Sequence, residues 1–509
     1  VSLRLVPTPL EVPIREPAPR AGGLDPSLAD AFVPSPARDQ LLERLRQPSA
    51  LAVTSGQQPG LFTGPLYTVH KALSTAALAR VLERRWDRPV VPIFWSAGDD
   101  HDFAEASQAA WIRADGALAT ASLPPRAPDA PLTPMYRLPL GEAVVPALEA
   151  LLGDLPPSEF RDLPAAWLRR HYRPEATVAA AFASAMAELL APAGILVYDS
   201  THPAAKRAAA PLVLRALEQA AELDRDLDLY AESLGDAARH SGVTIGDGAA
   251  LVMLEAAQGR DRLVASDGGF VTRRGRERFD LPTLRRIAEE EPERLSPNVL
   301  LRPVVESAVL PTVAYLGGPG ELRYLLYTPP VYRRLGVERQ LPMPRWSGVL
   351  VEPRVDRALE KFGVSLDELL GPAGTVEARL VRSQLPPEVT GALASLRAAI
   401  ERDYQLISRG AVEIDPTLAR PVEGVRNQAL GGTQDIEKKL IQHLKRRQET
   451  ELGQIGRART AVQPAGKPQE RVLTLAPFLA REGPRLVDDL VAAIEQWYAD
   501  ALEGAGTPS

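Results

Sequence analysis

Leu51-Ala52-Val53-Thr54-Ser55-Gly56-Gln57-Gln58-Pro59-Gly60-Leu61-Phe62-Thr63-Gly64-Pro65 opens the stretch that decides the fold. It continues through a helix-like run at 66–83, the apolar run at 90–95 and Gly98-Asp99-Asp100-His101-Asp102-Phe103. A short apolar run, a glycine loop, a helix-period pattern and a second β-branched apolar run make a β-loop-α-β unit. Polar groups gather after the ends of both strands, the edge where doubly wound parallel sheets bind ligands. Pro65 suits the first turn of the helix.

The same design recurs along the chain. Residues 194–199 form another apolar strand that ends in Asp199 and leads through Pro203 into a helix to about residue 223. Residues 312–316 are a strand followed by Gly317-Gly318-Pro319-Gly320-Glu321 and a helix to about 327. Residues 347–352 read as a further core strand, 27–47 as a helix, 145–192 and 224–240 as helices, and 243–275 as a small antiparallel insert rich in turn signals. After about residue 376 the texture changes. Val389, Leu393, Leu396, Ile400 and Ile407 follow a heptad seam, and a second long helix is expected over 433–458, with a link at 410–421. A hairpin coiled coil and a helical bundle against the core both fit this pattern.

Composition narrows the function. The 509 residues are 45% hydrophobic and 24% charged, as in a globular protein with a sizeable core. The net charge of −6 offers no basic field to nucleic acid. With no cysteine, disulfides, thiolate metal ligands and a cysteine nucleophile are excluded. The proline-rich start has no apolar signal core and no run reaches the ~18 residues of a membrane span, so a cytoplasmic protein with no membrane partner is expected.

Several groups suit chemistry. Gly56, Gly60 and Gly64 allow close approach of backbone to a ligand. Ser55, Gln57, Gln58 and Thr63 add polar side chains, and His70 and Lys71 follow on the helix. This loop is neither Walker A nor Gly-x-Gly-x-x-Gly, and an anion loop and a plain tight turn both remain open. Asp99-Asp100-His101-Asp102 suits a general base or substrate clamp, with Asp100 or Asp102 orienting His101. A divalent metal held by the carboxylates, or a helix cap in a surface acidic cluster, are the alternatives. Asn298, Arg302 and Glu306 are spaced by four. Arg302 either binds a carboxylate or phosphate with its fork or pairs structurally with Glu306. Gly317, Gly318, Gly320 and Glu321, with Tyr315 and Tyr324 beside them, make a second glycine loop. His171, His202, His240 and His443 lack such company and read as structural.

Taken together, these strings resemble the BshC family, the cysteine-adding enzymes of bacillithiol biosynthesis. The resemblance is carried by residues 55–71, by Phe94-Trp95 and Gly98 to Phe103, and by Asn298-Val299 with Arg302-Pro303. It extends through Pro311 to Glu321 with Tyr324, Pro344-Arg345 and Gln469-Glu470-Arg471. Ser55 stands where the family usually has Thr, and Asp99 where it has Glu. The resemblance implies an α/β fold: a Rossmann-like parallel-sheet core over 1–375, with inserts at about 104–190 and 243–275. A long antiparallel coiled coil over 376–460 would serve homodimerisation, and 461–509 would pack back on the core. It implies amide formation between the cysteine carboxyl and the amine of glucosaminyl-malate, with Arg302 or Arg345 on the malate carboxylates and no assigned metal. No HIGH and KMSKS-like pair is present. ATP is expected because a carboxylate is a poor acyl donor. The alternatives are another nucleotide-dependent sugar or amino-acid ligase or transferase, and a coiled-coil protein that binds a metabolite without turning it over.

Overall fold

The computed structural model describes residues 3–10, 12–235, 246 and 248–504. Five segments form one parallel sheet: β1 (Leu51–Gln57), β2 (Val90–Ser96), β3 (Leu196–Asp199), β4 (Thr312–Gly317) and β5 (Leu341–Pro344). Their spatial order is β5-β4-β1-β2-β3. Leu51 lies opposite Val90 and Gln57 opposite Ser96, while Tyr315 lies opposite Thr54 on the other side of β1. The chain therefore runs outward from β1 in one direction through β2 and β3, then returns to add β4 and β5 on the other side. That reversal places a topological switch point between β1 and β4, the position where open α/β sheets bind ligands.

Helices cover both faces. Leu51 and Val53 pack on one side with α1 (Leu66–Trp86), α2 (Val178–Leu190) and the C-terminal helix Leu486–Gly504. Ala52, Val91 and Ile93 pack on the other with α3 (Pro203–Glu218). This alternation across a fully buried strand explains why β1 reads as a continuous apolar run. Helices α4 (Arg302–Val309) and α5 (Pro319–Leu325) flank β4. The chain divides into two compact units, Val1–Leu350 with Pro468–Ser509, and Val351–Lys467.

The insert after α3 is a five-stranded antiparallel sheet in the order Arg278–Phe279, Gly269–Thr272, Gly259–Ser266, Ala249–Ala256 and Leu295–Pro297. It extends beyond the expected 243–275; residues 243–245 and 247 lie outside the described residues. Residues 108–112 and 118–122 pair as a separate hairpin.

Three expectations are corrected. The 347–352 strand is Gly348–Val351 and pairs with Arg4–Pro7 outside the main sheet. Its expected place is taken by β5, whose Pro342 and Pro344 argue against a strand everywhere except at a sheet edge, where β5 lies. The 27–47 helix is a 3₁₀ turn, Pro26–Ala31, and a helix, Arg38–Leu45, separated around Pro34 and Pro36. The helix expected over 224–240 is Ala220–Leu234, and residues 236–240, His240 among them, lie outside the described residues.

The second unit starts ahead of residue 376 because Pro353–Phe362, Leu366–Leu370 and Thr375–Arg382 belong to it. Its hairpin is Pro387–Ile414 and Ala419–Arg447, joined by a turn at Pro416–Leu418. The second helix begins well before 433; Gly424, Gly431 and Gly432 hide it from propensity. It ends at Arg447, and Glu449–Val462 continues as a separate helix. Leu393 and Thr433 are buried in the hairpin, with Arg397 bonded to Thr433 and Glu437.

The loop after β1 is strained. Phe62, Thr63 and Gly64 all have positive φ (51°, 71° and 72°). A Cβ on Gly60 would lie 2.9 Å from the Gly64 Cα, so residue 60 must be glycine to let the loop close on itself. The buried Tyr172 hydroxyl holds the loop, accepting from the Thr63 amide at 2.6 Å and donating to the Gly60 carbonyl at 3.1 Å. Tyr172→Phe leaves both groups buried without that partner. It is expected to destabilise the core by about 1–3 kcal/mol, read as a lower denaturant midpoint at unchanged m-value.

Candidate active site at the carboxyl edge of the sheet

Two adjoining cavities lie beyond the carboxyl ends of the strands. One, of ≈ 450 Å³, is bordered by Gly56, Gln57, Lys71, Tyr315, Gly318, Glu321 and Arg345. The other, of ≈ 350 Å³, is bordered by Asp99, His101, Asp102, Arg260 and Asn298. Gln58, Trp95, Ala97, Asp100, Val299 and Arg302 line both, which makes them chambers of one cleft.

Lys71 is the hub of the first chamber. Its ammonium is buried and donates to the Gly56 carbonyl and the Gln57 Oε1, each at 2.8 Å, and pairs with Glu321. Burial pushes the Lys71 pKa down and Glu321 opposes that shift. Three acceptors match the three N–H bonds of the charged form. Glu321 also accepts from the Tyr315 hydroxyl and from the Gly318 amide at 2.9 Å. Burial alone would raise the Glu321 carboxyl; Lys71 and these donors outweigh it and hold it below the ordinary range.

Arg302 pairs with Glu306, one helical turn along α4, and stacks over the Tyr315 ring at 4.7 Å. Glu306 is wholly buried, and burial pushes its carboxyl up against the pull of Arg302. The structural pair and the cleft-lining position coexist: Arg302 bonds Glu306 and also borders both chambers. Asn298 instead caps the turn into α4, its Oδ1 accepting the Leu300 and Leu301 amides at 3.0 Å.

In the acidic turn, Asp99 pairs with the buried Lys206 of α3. Asp100 Oδ1 accepts the His101 and Asp102 amides at 2.7 and 3.1 Å, and Asp102 caps the Phe103–Ala106 helix. No hydrogen bond joins either carboxylate to the His101 ring, contrary to expectation; the Oδ1 of each accepts backbone amides instead. The ring partner is Arg260 of the antiparallel insert, 3.4 Å from Nδ1. Among the described residues, no group of three or more His, Asp or Glu side chains is placed to hold a metal ion.

Arg345 is gripped by Glu470, whose two oxygens accept from Nη1 and Nη2 at 2.9 and 2.7 Å. His70 Nδ1 lies 3.1 Å from the same carboxylate, and its ring packs edge-on against Trp346. Nothing in the spacing marks Glu470 as part of the site, because it lies 125 residues beyond Arg345. Arg471, next to it, is exposed and borders the first chamber.

Several expected site residues face elsewhere. Ser55 is buried against Thr75, 2.7 Å away, and fastens β1 to α1. His70 sits behind the cleft. Thr63, Gly60 and Gly64 belong to the strained loop. The first amide of α1, Leu66, is taken by the Leu473 carbonyl at 2.8 Å, and Thr474 bonds the Phe62 carbonyl at 2.9 Å. The first glycine loop therefore acts as a strut, with the Thr63, Gly64 and Leu66 amides already taken. Gly56, Gly318 and Gly320 do line the first chamber, while Gly317 borders an adjacent apolar cavity. His171 pairs with Glu188 and His202 caps α3.

A polar cleft at the switch point of a Rossmann-like sheet, with a helical hairpin as a second unit, defines the class. Two family models match this chain: the Bacillithiol biosynthesis BshC N-terminal Rossmann-like domain over residues 29–346, and its C-terminal coiled-coil domain over 348–499. The chain belongs to the BshC family. Similar proteins include those of Koribacter versatilis (33% identical, covering 89% of this chain and 83% of that one) and Symbiobacterium thermophilum (32%, covering 90% and 85%). A third, from Salinibacter ruber, is 30% identical over 89% and 82% of the two chains. Each carries the name "Putative cysteine ligase BshC", that of a carbon–nitrogen ligase.

The Glu470 cluster makes stability depend on pH. Burial alone would raise the Glu470 carboxyl, but its bonds to His70 and Arg345 hold it well below its ordinary 4.5. Burial also holds His70 below 6.5, against the pull of Glu470. Both contributions are complete above those ordinary values and are lost as the pH falls through the folded-state values. Melting temperature is expected to decline on acidification below 6.5 and faster below 4.5. Glu470→Gln strands the Arg345 charge. It should cost about 3–5 kcal/mol at neutral pH and flatten the acid limb in thermal melts.

Proposed function

We propose that this chain joins cysteine to glucosaminyl-malate, forming an amide between the cysteine carboxyl and the glucosamine amine. The observation that carries this reading is a pair of arginines on one chamber, Arg302 and Arg345. Each is neutralised in part by a buried glutamate, and each borders the chamber. Two guanidinium groups spaced across a cavity suit a dicarboxylate such as malate. Asp100, which lines both chambers, is the acid placed to take the proton from the attacking amine. Trp95 and Val299 supply apolar wall to both chambers.

Amide formation from a free carboxylate needs an activated oxygen, and ATP as co-substrate would supply a phosphoryl or adenylyl group that makes that oxygen a leaving group. At the glycine loops the Leu66 amide is taken by Leu473 and the Gly318 amide by Glu321, so neither is free for its phosphates. The arginine side chains of the cleft, with Arg471 at its rim, do suit them. Substrates of this kind fit a cytoplasmic enzyme, and no helix among the described residues is long and apolar enough to cross a membrane.

Purified protein given cysteine, glucosaminyl-malate and ATP should yield the amide product, detected by mass spectrometry; absence of product would overturn the ligase reading. Asp100→Asn should lower kcat by about 10²–10⁴-fold with folding intact. Arg302→Ala should act mainly on KM for the malate-bearing substrate, by roughly tenfold to a hundredfold.

We further propose a homodimer through the hairpin. Leu396, Ile407 and Ile436 are 46%, 53% and 52% exposed in the single chain, an apolar stripe along the two long helices. Replacing all three with Glu should give a monomer by sedimentation, and an unchanged dimer would place the interface elsewhere.

A further inference from the structure

The geometry points to His101 as a neutral hydrogen-bond donor to the cleft, with Arg260 as the positioning residue that fixes its tautomer, and not to His101 as the proton acceptor. Arg260 reaches the ring through Nη1, 3.4 Å from Nδ1. A guanidinium has donors only, so Nδ1 must present its lone pair. In a neutral imidazole the other nitrogen then carries the hydrogen, which leaves Nε2–H as the polar group the ring can offer a ligand. Its one lone pair is already in use.

Arg260 cannot readily turn away. Nε donates to Ser296 Oγ at 2.8 Å and Nη2 to the Pro297 carbonyl at 2.9 Å, while its backbone amide bonds Leu132 at 2.8 Å. Protonating His101 would set an Nδ1–H against this fixed cation. The charged groups around the ring are Arg260 and Asp261 from the insert and Asp100 and Asp102 from its own turn. Arg126 and Arg274 line an outer cavity with it. The three carboxylates favour the cation, but each accepts backbone amides: Asp100 from His101 and Asp102, Asp102 from Glu105, and Asp261 from Arg262, Arg274 and Gly275. Burial and Arg260 prevail, and the ring titrates below its ordinary 6.5.

Adjacent residues thus divide the chemistry. Asp100 receives the proton, and His101 donates to the oxygen on which negative charge grows as the amine adds to the activated carboxyl. A neutral donor serves this purpose because it needs no proton exchange with solvent during the step. The oxygen it serves rests on the ligase reading; the tautomer does not.

Two measurements test this. In the full-length protein with ¹⁵N-labelled histidine, His101 signals are assigned by their loss in His101→Gln. They should show Nε2 protonated and Nδ1 bare at pH 7 and above. Arg260→Gln, which removes the cation, should raise the ring's pKa and mix the tautomers. A charged ring or an Nδ1–H tautomer at pH 7 in the wild type would overturn the inference, whether or not ligation is detected. In the ligation assay, His101→Gln keeps an N–H donor and cannot serve as base, so kcat should stay within about tenfold of wild type. His101→Phe should lose about 10²–10³-fold. Equal, large losses in both variants would assign the ring to proton transfer instead. A wild type that makes no amide, with the tautomer as expected, would count against the ligase reading alone.

Discussion

The ammonium of Lys71 joins two pieces of chain that are distant in sequence. Its acceptors are the Gly56 carbonyl at the end of β1, the Gln57 side chain beside it, and the Glu321 carboxylate at the start of the helix after β4. A buried ammonium without such partners costs several kcal/mol in lost hydration. That cost is met only when β4 lies beside β1 in register, with Tyr315 opposite Thr54. The cleft is thus a consequence of where one charge can be satisfied, and the switch point opens there because these strand ends are held together by a polar joint.

The same device appears twice more. Glu306 holds Arg302 and Glu470 holds Arg345, each glutamate largely or wholly out of solvent. Buried pairs of this kind add little net stability compared with apolar packing, because desolvation offsets most of the attraction. What they give the cleft is fixed direction. Each guanidinium is anchored by a carboxylate while its side chain borders the cavity, so it is held in place before a ligand arrives. Glu470 arrives on the segment that returns after the helical unit, which explains why a chain end so far from the sheet contributes to the site.

The strand–loop–helix unit at 51–103, the strands ending at Asp199 and Gly317, and the helical texture after 376 were legible because periodicity and glycine placement are local signals. So was the grouping of Gln57, Gln58, Lys71, Asp100, Arg302 and Glu321, all of which border the cleft. The division of labour among polar residues was not legible. Ser55 and Gln57 are two apart on one strand, yet the first fastens α1 and the second faces the cavity. Thr63, Gly60 and Gly64 have ligand-loop composition, but Tyr172, Leu473 and Thr474 use the loop's polar groups to brace the core. Arg260 gave no signal, because an arginine on a small antiparallel strand is usually a solvated residue.

By itself the sequence determined the strand and helix content, the carboxyl-edge location of the polar groups, and the family. These follow from local pattern and from motifs that keep their order along the chain. Only the tertiary structure decided which side of each element faces the cleft, that His101 answers to Arg260 and not to the aspartates flanking it, and that the carboxylate holding Arg345 comes from Glu470. The physical reason is that a buried charge or a hydrogen-bonding ring takes its role from the nearest satisfying partner in space, and here those partners lie 159 and 125 residues away along the chain.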